Sequence, residues 1–305
     1  MSRSTALAKC LEPLLLRSTV AVPPHAKSKA DYIHELVHSY YLPVFFWAER
    51  QLQASSCIVL GLSCVQGGGK TTMTSFLETL FHETGKSCAS LSLDDVYLTR
   101  SEQVAVAQSN AGNPLLEHRG NPGTQDLNLL LSLIKDAKAG RDVLVPRYNK
   151  SAFDGRGDRF PRDQWIAHKG PLDVLLIEGW CLGFEASPTD LDGHLKPVNA
   201  ALRDFDQLYA ELSALIVVQV EDLGWVYTWR EQAEARMREE GKPAMTPEQV
   251  KDFVDRFMPA YERYLPQLNS DSAGPSSISR IPRLTVTIGQ HRECTSVVAR
   301  EGRNA

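Results

Sequence analysis

The sequence predicts an α/β fold of three layers, α/β/α, in which helices cover both faces of a central, mostly parallel sheet. One observation is that short apolar runs of strand length recur along the chain. Another is that segments of helical period separate several of these runs, such as the apolar face that includes Met73, Leu77 and Leu80. Uninterrupted apolar strands joined by amphipathic helices are typical of parallel sheets that are buried on both sides.

Six apolar runs account for the predicted strands. They cover residues 57–62, 88–93, 142–145, 174–177, 214–220 and 284–288. Between them, the polar stretch over 97–123 is rich in Gly, Asn and Pro and is too long for a passive connection, so we expect it to be functional or mobile.

Helical patterns lie before the first strand and after most of the others. Residues 1–54 are predicted to form an N-terminal helical extension to an α/β domain over 55–305, with an aromatic-faced helix over 32–53. Residues 222–268 form a predicted helical lid. Its second helix is expected to begin at Thr246, which caps it with Gln249, and to kink at Pro259. A Ser-rich loop over 269–279 is expected to be flexible.

The composition excludes some classes of partner. The 305 residues carry a formal net charge of −4, and their cations are interspersed with acids, so neither nucleic acid nor an anionic membrane is an expected partner. No apolar run approaches the roughly 20 residues that a membrane-spanning helix needs. A monomer is the favoured oligomeric state.

Cysteine usage and the N-terminus bear on location. The six cysteines are scattered without a CxxC pair, which favours reduced structural thiols and a cytoplasmic location. The first 19 residues carry three cations against one acid, Glu12, which is mildly typical of a transit segment and leaves an organellar location open. The favoured interpretation is an amphipathic helix with Leu11, Leu14 and Leu15 on one face.

A glycine-rich segment after the first strand is the strongest functional signal. The segment GLSCVQGGGKTT over 61–72 follows an apolar strand and opens an amphipathic helix, which is the context of a P-loop. Glycines let backbone N–H groups surround phosphate oxygens, Lys70 neutralises phosphate charge, and the Thr71 hydroxyl is a ligand for Mg²⁺. The predicted nucleotide-binding residues are Gly67, Gly68, Gly69, Lys70, Thr71 and Thr72. Cys64 replaces the first glycine of the strict pattern and is small enough to be tolerated.

Carboxylates end two further predicted strands. Glu178 follows the apolar run 174–177 and is a candidate Mg²⁺ ligand, directly or through water. Asp94 and Asp95 end the second strand, and adjacent side chains on an extended backbone point to opposite sides. We expect Asp94 to accept the proton of an attacking hydroxyl, with Asp95 in support. The sequence therefore predicts a P-loop small-molecule kinase.

Together these motifs resemble the P-loop kinases related to phosphoribulokinase, uridine kinase and pantothenate kinase, and most closely the D-glycerate 3-kinase family. The resemblance runs from about Tyr41 to Val297 and is carried by GLSCVQGGGKTT at 61–72, SLDDVYLT at 92–99, GNPGTQD at 120–126, PRYNKSAFDGRGDR at 146–159, LLIEGWCLGF at 175–184 and WRxQxE at 229–234. It implies ATP and Mg²⁺ as cofactors, D-glycerate as acceptor and 3-phospho-D-glycerate as product. It also matches Lys70, Asp94 and Glu178 to the family's phosphate, base and acidic positions.

The acceptor is predicted to lie between two loops, over 96–123 and 146–160. A carboxylate acceptor needs a fixed cation, for which Lys150, Arg156 and Arg159 are candidates that the sequence does not rank. The remaining predicted acceptor contacts are Asp95, Tyr97, Asp126 and Tyr148. For Asp126 an equally good interpretation is a helix-capping role.

The lid supplies a further candidate. Arg230 and Arg236 lie on its predicted first helix, and in this kinase group such arginines close on the transferred phosphate. Arg230 is the predicted catalytic residue of the lid, alongside Lys70 and Asp94. The alternative is ion pairing along an exposed helix with neighbouring glutamates.

Two departures and two alternative functions remain open. Gln125 stands where a histidine is common in relatives and Asn149 where an aspartate is common, which bears on the identity of the acceptor. One alternative function is a kinase of a nucleoside, a pantothenate-like compound or a sugar phosphate. The other is an ATP-binding module that transfers no phosphate.

Overall fold

The computed structural model describes residues 2–18, 20, 22–24, 26–54, 56–189, 191, 193–270 and 277–302. Its centre is a six-stranded sheet. From one edge to the other the strands are β2 (Cys88–Ser92), β7 (Val174–Gly179), β1 (Ile58–Cys64), β8 (Ala214–Val220), β9 (Arg283–Ile288) and β10 (Cys294–Arg300). Every neighbouring pair is parallel except β9 with β10. Because β1 and β7 are buried along their whole length, the predicted parallel sheet with helices on both faces is confirmed.

The sheet differs from the prediction at two strands. Residues 142–145 were expected in the central sheet, which is wrong: β3 (Val143–Val145) pairs antiparallel with β6 (Ile166–His168) in a separate two-stranded sheet. A three-residue apolar run is too short for its pattern to identify its partner. The antiparallel edge strand β10 was not predicted, because its residues are mostly exposed and carry little hydrophobic signal.

The α-helices cover both faces of the sheet. They are α1 (Arg3–Arg17), α2 (Lys29–Leu36), α3 (Leu42–Gln51), α4 (Lys70–Glu83), α5 (Arg100–Ser109), α6 (Leu127–Lys138), α7 (Leu195–Leu202), α8 (Phe205–Glu211), α9 (Trp225–Glu239), α10 (Pro247–Asp255) and α11 (Met258–Asn269). Within the described residues, none of these helices has the length and apolar character needed to cross a bilayer.

The N-terminal extension packs on the same core as the sheet. Leu11 and Leu15 of α1 are fully buried as predicted, but Leu14 is 40% exposed, so the buried face is completed by Leu7 instead. The predicted helix over 32–53 is confirmed in outline, since a helical path runs from α2 to α3. A π-helical turn, Val37–Tyr41, joins the two.

The segment predicted to be a lid contains three helices, α9, α10 and α11. The capping box of Thr246 with Gln249 is present at the start of α10. The prediction of one helix kinked at Pro259 is wrong, because the chain breaks between α10 and α11 and Pro259 lies in the first turn of α11, where proline is well tolerated. Of the predicted flexible loop over 269–279, residues 271–276 lie outside the described residues.

The two predicted acceptor loops contain local structure. The stretch over 97–123 is not a continuous loop, because α5 forms within it from a capping box of Thr99 with Glu102. The stretch over 146–160 contains a short hairpin of β4 (Tyr148–Asn149) and β5 (Asp158–Arg159). The first stretch follows β2 of the central sheet, and the contact of Lys150 with Asp94 brings the second to the same edge, where the phosphate loop lies.

Candidate active site

The phosphate loop joins the end of β1 to the start of α4. Gly67 and Gly69 have φ angles of +79° and +95°, which only glycine adopts without strain. The Nζ of Lys70 donates to the carbonyl of Val65 at 3.2 Å, so the ammonium folds back over the loop. The loop is held from outside by Arg292, whose Nε donates to the carbonyl of Gly67 at 2.7 Å. The geometry is that of a backbone cradle for an anion at a helix N-terminus.

Cys64 fits beneath the loop because Gly68 has no side chain. A Cβ built on Gly68 would lie 2.3 Å from the Sγ of Cys64. Burial raises the pKa of the Cys64 thiol to about 11, so the sulfur is an inert packing group. Gly67 is confined in turn by Trp229 of α9, whose Cβ would lie 2.6 Å from an added Cβ. The departure at Cys64 is therefore compatible with the loop as long as Gly68 remains glycine.

Glu178 lies at the end of β7, between β1 and β2. In register, it pairs with Leu62 on one side and Ser92 on the other. Its residue is 7% exposed, and among the described residues its Oε2 has no hydrogen-bond partner. Burial raises the pKa of Glu178, while the ammonium of Lys70 acts in the opposite direction. A buried carboxylate oxygen without a partner, next to a phosphate loop, is suited to a hard cation.

Asp94 lies in the short 3-10 turn Leu93–Val96 that follows β2, and two side chains hold it. The Nζ of Lys150 lies 2.5 Å from its Oδ2, and the hydroxyl of Tyr97 also donates to it. Burial alone would raise the pKa of Asp94, but Lys150, Tyr97 and Lys70 outweigh it and the net pKa lies below the usual value. Asp94 is therefore ionised at neutral pH, which is the state in which a carboxylate can accept a proton.

Asp95 has a different role from its neighbour. Its Oδ2 accepts a hydrogen bond from the backbone N–H of Ser92 at 3.1 Å and pairs with the Nη1 of Arg147 at 3.0 Å. These contacts cap the short 3-10 turn Leu93–Val96 and connect it to the hairpin that follows Arg147. The prediction that both aspartates end the second strand is wrong, because β2 ends at Ser92 and both lie in this turn, where the contacts of Asp95 support the fold.

The hairpin of β4 and β5 is anchored by Arg119. Its guanidinium donates to the carbonyls of Lys150, Gly155 and Arg156, and it lies 5.3 Å over the ring of Tyr148. The Tyr148 hydroxyl is buried, with no hydrogen-bond partner in the part of the chain that the structure describes. Arg119 was not singled out from the sequence, because its role depends on contacts with residues more than 30 positions away.

The cationic residues predicted to bind the carboxylate of the acceptor lie in different environments. Arg159 is only 12% exposed, donates to the carbonyl of Tyr97 and pairs with Asp126 at 3.2 Å. Asp126 also caps α6 by accepting from the N–H of Leu129. Arg156 is exposed beside His118. The structure thus brings Lys150 to Asp94, gives Arg159 and Asp126 contacts that hold the fold together, and leaves Arg156 at the rim.

The two family departures are engaged in local contacts. The Nε2 of Gln125 donates to the carbonyl of Gly120 at 3.0 Å, within the same loop. The Oδ1 of Asn149 accepts from the N–H groups of Ser151 and Ala152, which shapes the tip of the hairpin. Both side chains therefore stabilise loops, and neither needs to contact the acceptor.

A cavity of about 350 Å³ opens beside the phosphate loop. Its walls come from the loop, the N-terminal extension, α9 and the turn between β9 and β10. They include Tyr40, Tyr41, Gly67, Gly68, Gly69, Lys70, Thr71, Thr72, Trp229, Arg236, His291 and Arg292. The sequence identified the loop residues but not the tyrosines or Arg292, which reach the cavity only through the tertiary fold.

The two lid arginines are placed differently. Arg236 lines the cavity, and no ion pair to it occurs among the described residues. Arg230 pairs instead with the buried Glu234 and lies 4.8 Å over the ring of Phe253, where it fastens α9 to α10. Glu234 also accepts from the N–H of Met245, so this cluster holds the lid together. A catalytic role of Arg230 stays a prediction.

Comparison with known proteins identifies related chains. D-glycerate 3-kinase, chloroplastic, of Arabidopsis thaliana is 41% identical over 275 residues, covering 84% of this chain and 60% of the plant protein. A Saccharomyces cerevisiae protein named probable ATP-dependent kinase TDA10 is 33% identical over 294 residues, covering 90% of this chain and 98% of the yeast protein. Among solved structures, D-glycerate 3-kinase from Cryptococcus neoformans has 29% identity and a TM-score of 0.77, covering 85% of this chain and 99% of that one. No family model matches the chain.

The phosphate loop at the end of β1 and these likenesses define the class of the protein, which is that of the P-loop kinases. Within that class, the chain belongs to the family of the yeast protein named probable ATP-dependent kinase TDA10, and it is similar to the D-glycerate 3-kinases of Arabidopsis thaliana and Cryptococcus neoformans. It spans 60% of the length of the plant relative, and nearly the whole of the two fungal ones.

Proposed function

We propose that this chain transfers the γ-phosphoryl group of ATP to a hydroxyl of D-glycerate, giving 3-phospho-D-glycerate. The observation that carries the proposal is the contact of Asp94 with Lys150 beside the phosphate loop. It supplies both groups that a hydroxy-acid acceptor requires, a base for its hydroxyl and a cation for its carboxylate. The names of the plant and Cryptococcus relatives support D-glycerate as that acceptor.

On the nucleotide side, the phosphate loop and Lys70 bind the β- and γ-phosphates. Thr71 and Glu178 would hold Mg²⁺, which neutralises phosphate charge when it is bound. This assignment of Mg²⁺ rests on the Oε2 of Glu178, which is buried and has no hydrogen-bond partner among the described residues. Arg236 lies on the cavity wall, where it can stabilise charge on the transferred group.

On the acceptor side, the carboxylate of D-glycerate takes the ammonium of Lys150 from Asp94. Asp94 then faces the acceptor hydroxyl and accepts its proton while the hydroxyl oxygen forms a bond to the γ-phosphorus and ADP leaves. Tyr97 keeps the carboxylate in place, and the buried hydroxyl of Tyr148 offers a further hydrogen bond. Pairing with Lys150 in the absence of acceptor keeps Asp94 occupied, which limits transfer to water.

The packing of α1 supports a mature protein that retains its N-terminal helix. Leu7, Leu11 and Leu15 are buried in the core, and Ser18, which follows α1, lines the cavity beside the phosphate loop. Removing this helix would open both, so α1 is part of the folded unit.

A coupled assay of ADP release over an acceptor panel tests the function. The panel contains D-glycerate, L-glycerate, glycerol, a nucleoside and pantothenate. The proposal predicts stimulation by D-glycerate and little by glycerol, which has the hydroxyls but no carboxylate for Lys150. Stimulation by the nucleoside or pantothenate instead would overturn the acceptor, and tight ATP binding with no stimulation by any compound would overturn the transfer.

A further inference from the structure

We propose that Glu12, His34 and His38 form a binding site for a divalent transition-metal ion such as Zn²⁺. The site lies on the N-terminal extension and uses none of the residues of the candidate active site. Glu12 belongs to α1, His34 to α2, and His38 to the π-helical turn that follows α2. An ion held by all three would therefore join α1 to the continuous helical path formed by α2 and this turn.

The distances are close to those of a coordination sphere. One ligand atom from each residue can be chosen so that all lie within 4.8 Å of one another. The Nδ1 of His34 lies 2.7 Å from the Oε1 of Glu12, and the two imidazole rings are 4.4 Å apart between centroids. A tetrahedral zinc ion, with bonds of about 2.0–2.1 Å, separates its ligand atoms by roughly 3.3 Å. Small rotations of these partly exposed side chains are enough to reach that spacing.

The donor set suits zinc. Two imidazole nitrogens and one carboxylate oxygen are a known combination of zinc ligands that leaves a fourth position for water. The sequence carries the corresponding signal, because His34-Glu35-Leu36-Val37-His38 has the spacing H-E-x-x-H, which puts two histidines on one side of a helix. Both histidines are exposed, outside the enclosed cavity, so the arrangement suits binding of an ion and not a second reaction centre.

An ordinary surface ion pair explains only part of the cluster. Glu12 and a protonated His34 form such a pair, which contributes little in water. It gives no role to His38, whose ring is tilted by 52° against that of His34 and forms no ion pair among the described residues. Coordination uses the lone pairs of both rings.

The location links the site to the nucleotide cavity. The turn that carries His38 also carries Tyr40 and Tyr41, which line the cavity beside the phosphate loop. An ion joining α1 to this turn restricts the cavity wall, so the ion and the nucleotide should bind with positive coupling.

Isothermal titration of the full, tag-free chain with Zn²⁺ tests the site. The protein is first freed of metal with a chelator, and excess Mg²⁺ is present so that Thr71 and Glu178 are not available to zinc. We expect one equivalent to bind, and His38→Ala and Glu12→Gln to weaken it by at least about tenfold. The matched control His194→Ala changes another exposed histidine and should bind zinc like the wild type.

Two further readouts separate a site from loss of fold or from nonspecific binding. All variants should have the circular dichroism spectrum of the wild type without metal, because the changed side chains are partly or fully exposed. Co²⁺ should give visible absorption in the wild type and not in His38→Ala, and zinc should tighten the binding of a nonhydrolysable ATP analogue only when His38 is present. Absence of saturable zinc binding, or equal binding by His38→Ala, would overturn the site; unchanged nucleotide affinity would overturn the coupling.

Discussion

The ammonium of Lys150 lies 2.5 Å from the Oδ2 of Asp94, although 56 residues separate them in the chain. The pair links the hairpin of β4 and β5 to the end of β2, beside the phosphate loop. Because Lys150 is 59% exposed and Asp94 only 28%, the lysine is the partner that can be drawn away by an arriving anion. In the proposed reaction, this contact connects recognition of an acid to activation of an alcohol.

Replacing Lys150 by alanine should change the pH dependence of the enzyme. Lys150 lowers the pKa of Asp94, so its removal raises that pKa, and the base becomes protonated at a higher pH. In a plot of kcat/KM against pH, the acid limb reports the pKa of the base in the free enzyme. This limb should move to higher pH. The KM for D-glycerate should rise roughly tenfold or more, since a hydrogen bond to a charged group contributes about 1.5–3 kcal/mol.

Lys150→Arg is the matched control, because it keeps the positive charge and should retain most of the wild-type acid limb. An unchanged limb in Lys150→Ala would mean that Asp94 is not the titrating base.

Because Cys64 packs closely against Gly68, we expect a substitution at Cys64 to restore the nucleotide binding that a substitution at Gly68 weakens. Gly68→Ala should weaken nucleotide binding, because the new Cβ would lie 2.3 Å from the Cys64 sulfur. Adding Cys64→Ala removes that sulfur and should restore binding, since the next atoms are at 3.4 Å and beyond. Nucleotide affinity measured by titration compares the two variants.

Gly67→Ala should not be rescued in the same way. Its φ of +79° is strained for alanine and its added Cβ meets Trp229 at 2.6 Å. Equal rescue of both glycine variants by Cys64→Ala would show that the sulfur is not the obstacle.

Substitution of Arg236 should lower activity, whereas substitution of Arg230 should lower stability. Arg236→Ala should lower kcat by about a hundredfold with little change in Tm, because Arg236 lies on the cavity wall and has no ion pair within the described chain. Arg230→Ala should lower the free energy of unfolding by about 1–3 kcal/mol, because it leaves the buried Glu234 without its cation. Loss of turnover in Arg230→Ala at unchanged Tm would support the catalytic role that the sequence predicts.

Glu178→Gln should raise the Mg²⁺ concentration needed for half-maximal activity. The amide keeps the shape of the side chain but removes the negative charge that a hard cation prefers. Titration of activity with Mg²⁺ at saturating ATP measures the effect. Unchanged Mg²⁺ dependence would mean that Glu178 does not bind Mg²⁺.

Local patterns were enough for the central sheet and the phosphate loop. The strands β1, β7 and β8 are buried along most or all of their length, so their apolar runs are long and distinct. The helix cap at Thr246 could also be predicted from the sequence, because it depends on two residues three positions apart. The three-residue strand β3 and the exposed strand β10 lack such signals, and their pairing is decided by the tertiary fold.

The different roles of the charged side chains could not be predicted from local sequence patterns in the same way. Lys150, Arg156 and Arg159 lie within one segment and look alike in sequence, but they have different partners. Those ion-pair partners come from 33 to 56 positions away in the chain, beyond the reach of any local pattern. Similarly, Arg230 and Arg236 occupy one helix, and only the packing of α10 on α9 separates their surroundings.

The role of Asp94 is tested most directly by comparing ADP release by wild type and Asp94→Asn, each with and without D-glycerate at saturating Mg-ATP. The account predicts strong stimulation of the wild type by D-glycerate, and in the variant a loss of about a hundredfold or more in the stimulated rate with ATP binding retained. Full stimulation of Asp94→Asn by D-glycerate would contradict it, because no carboxylate at that position would then be needed to take the proton.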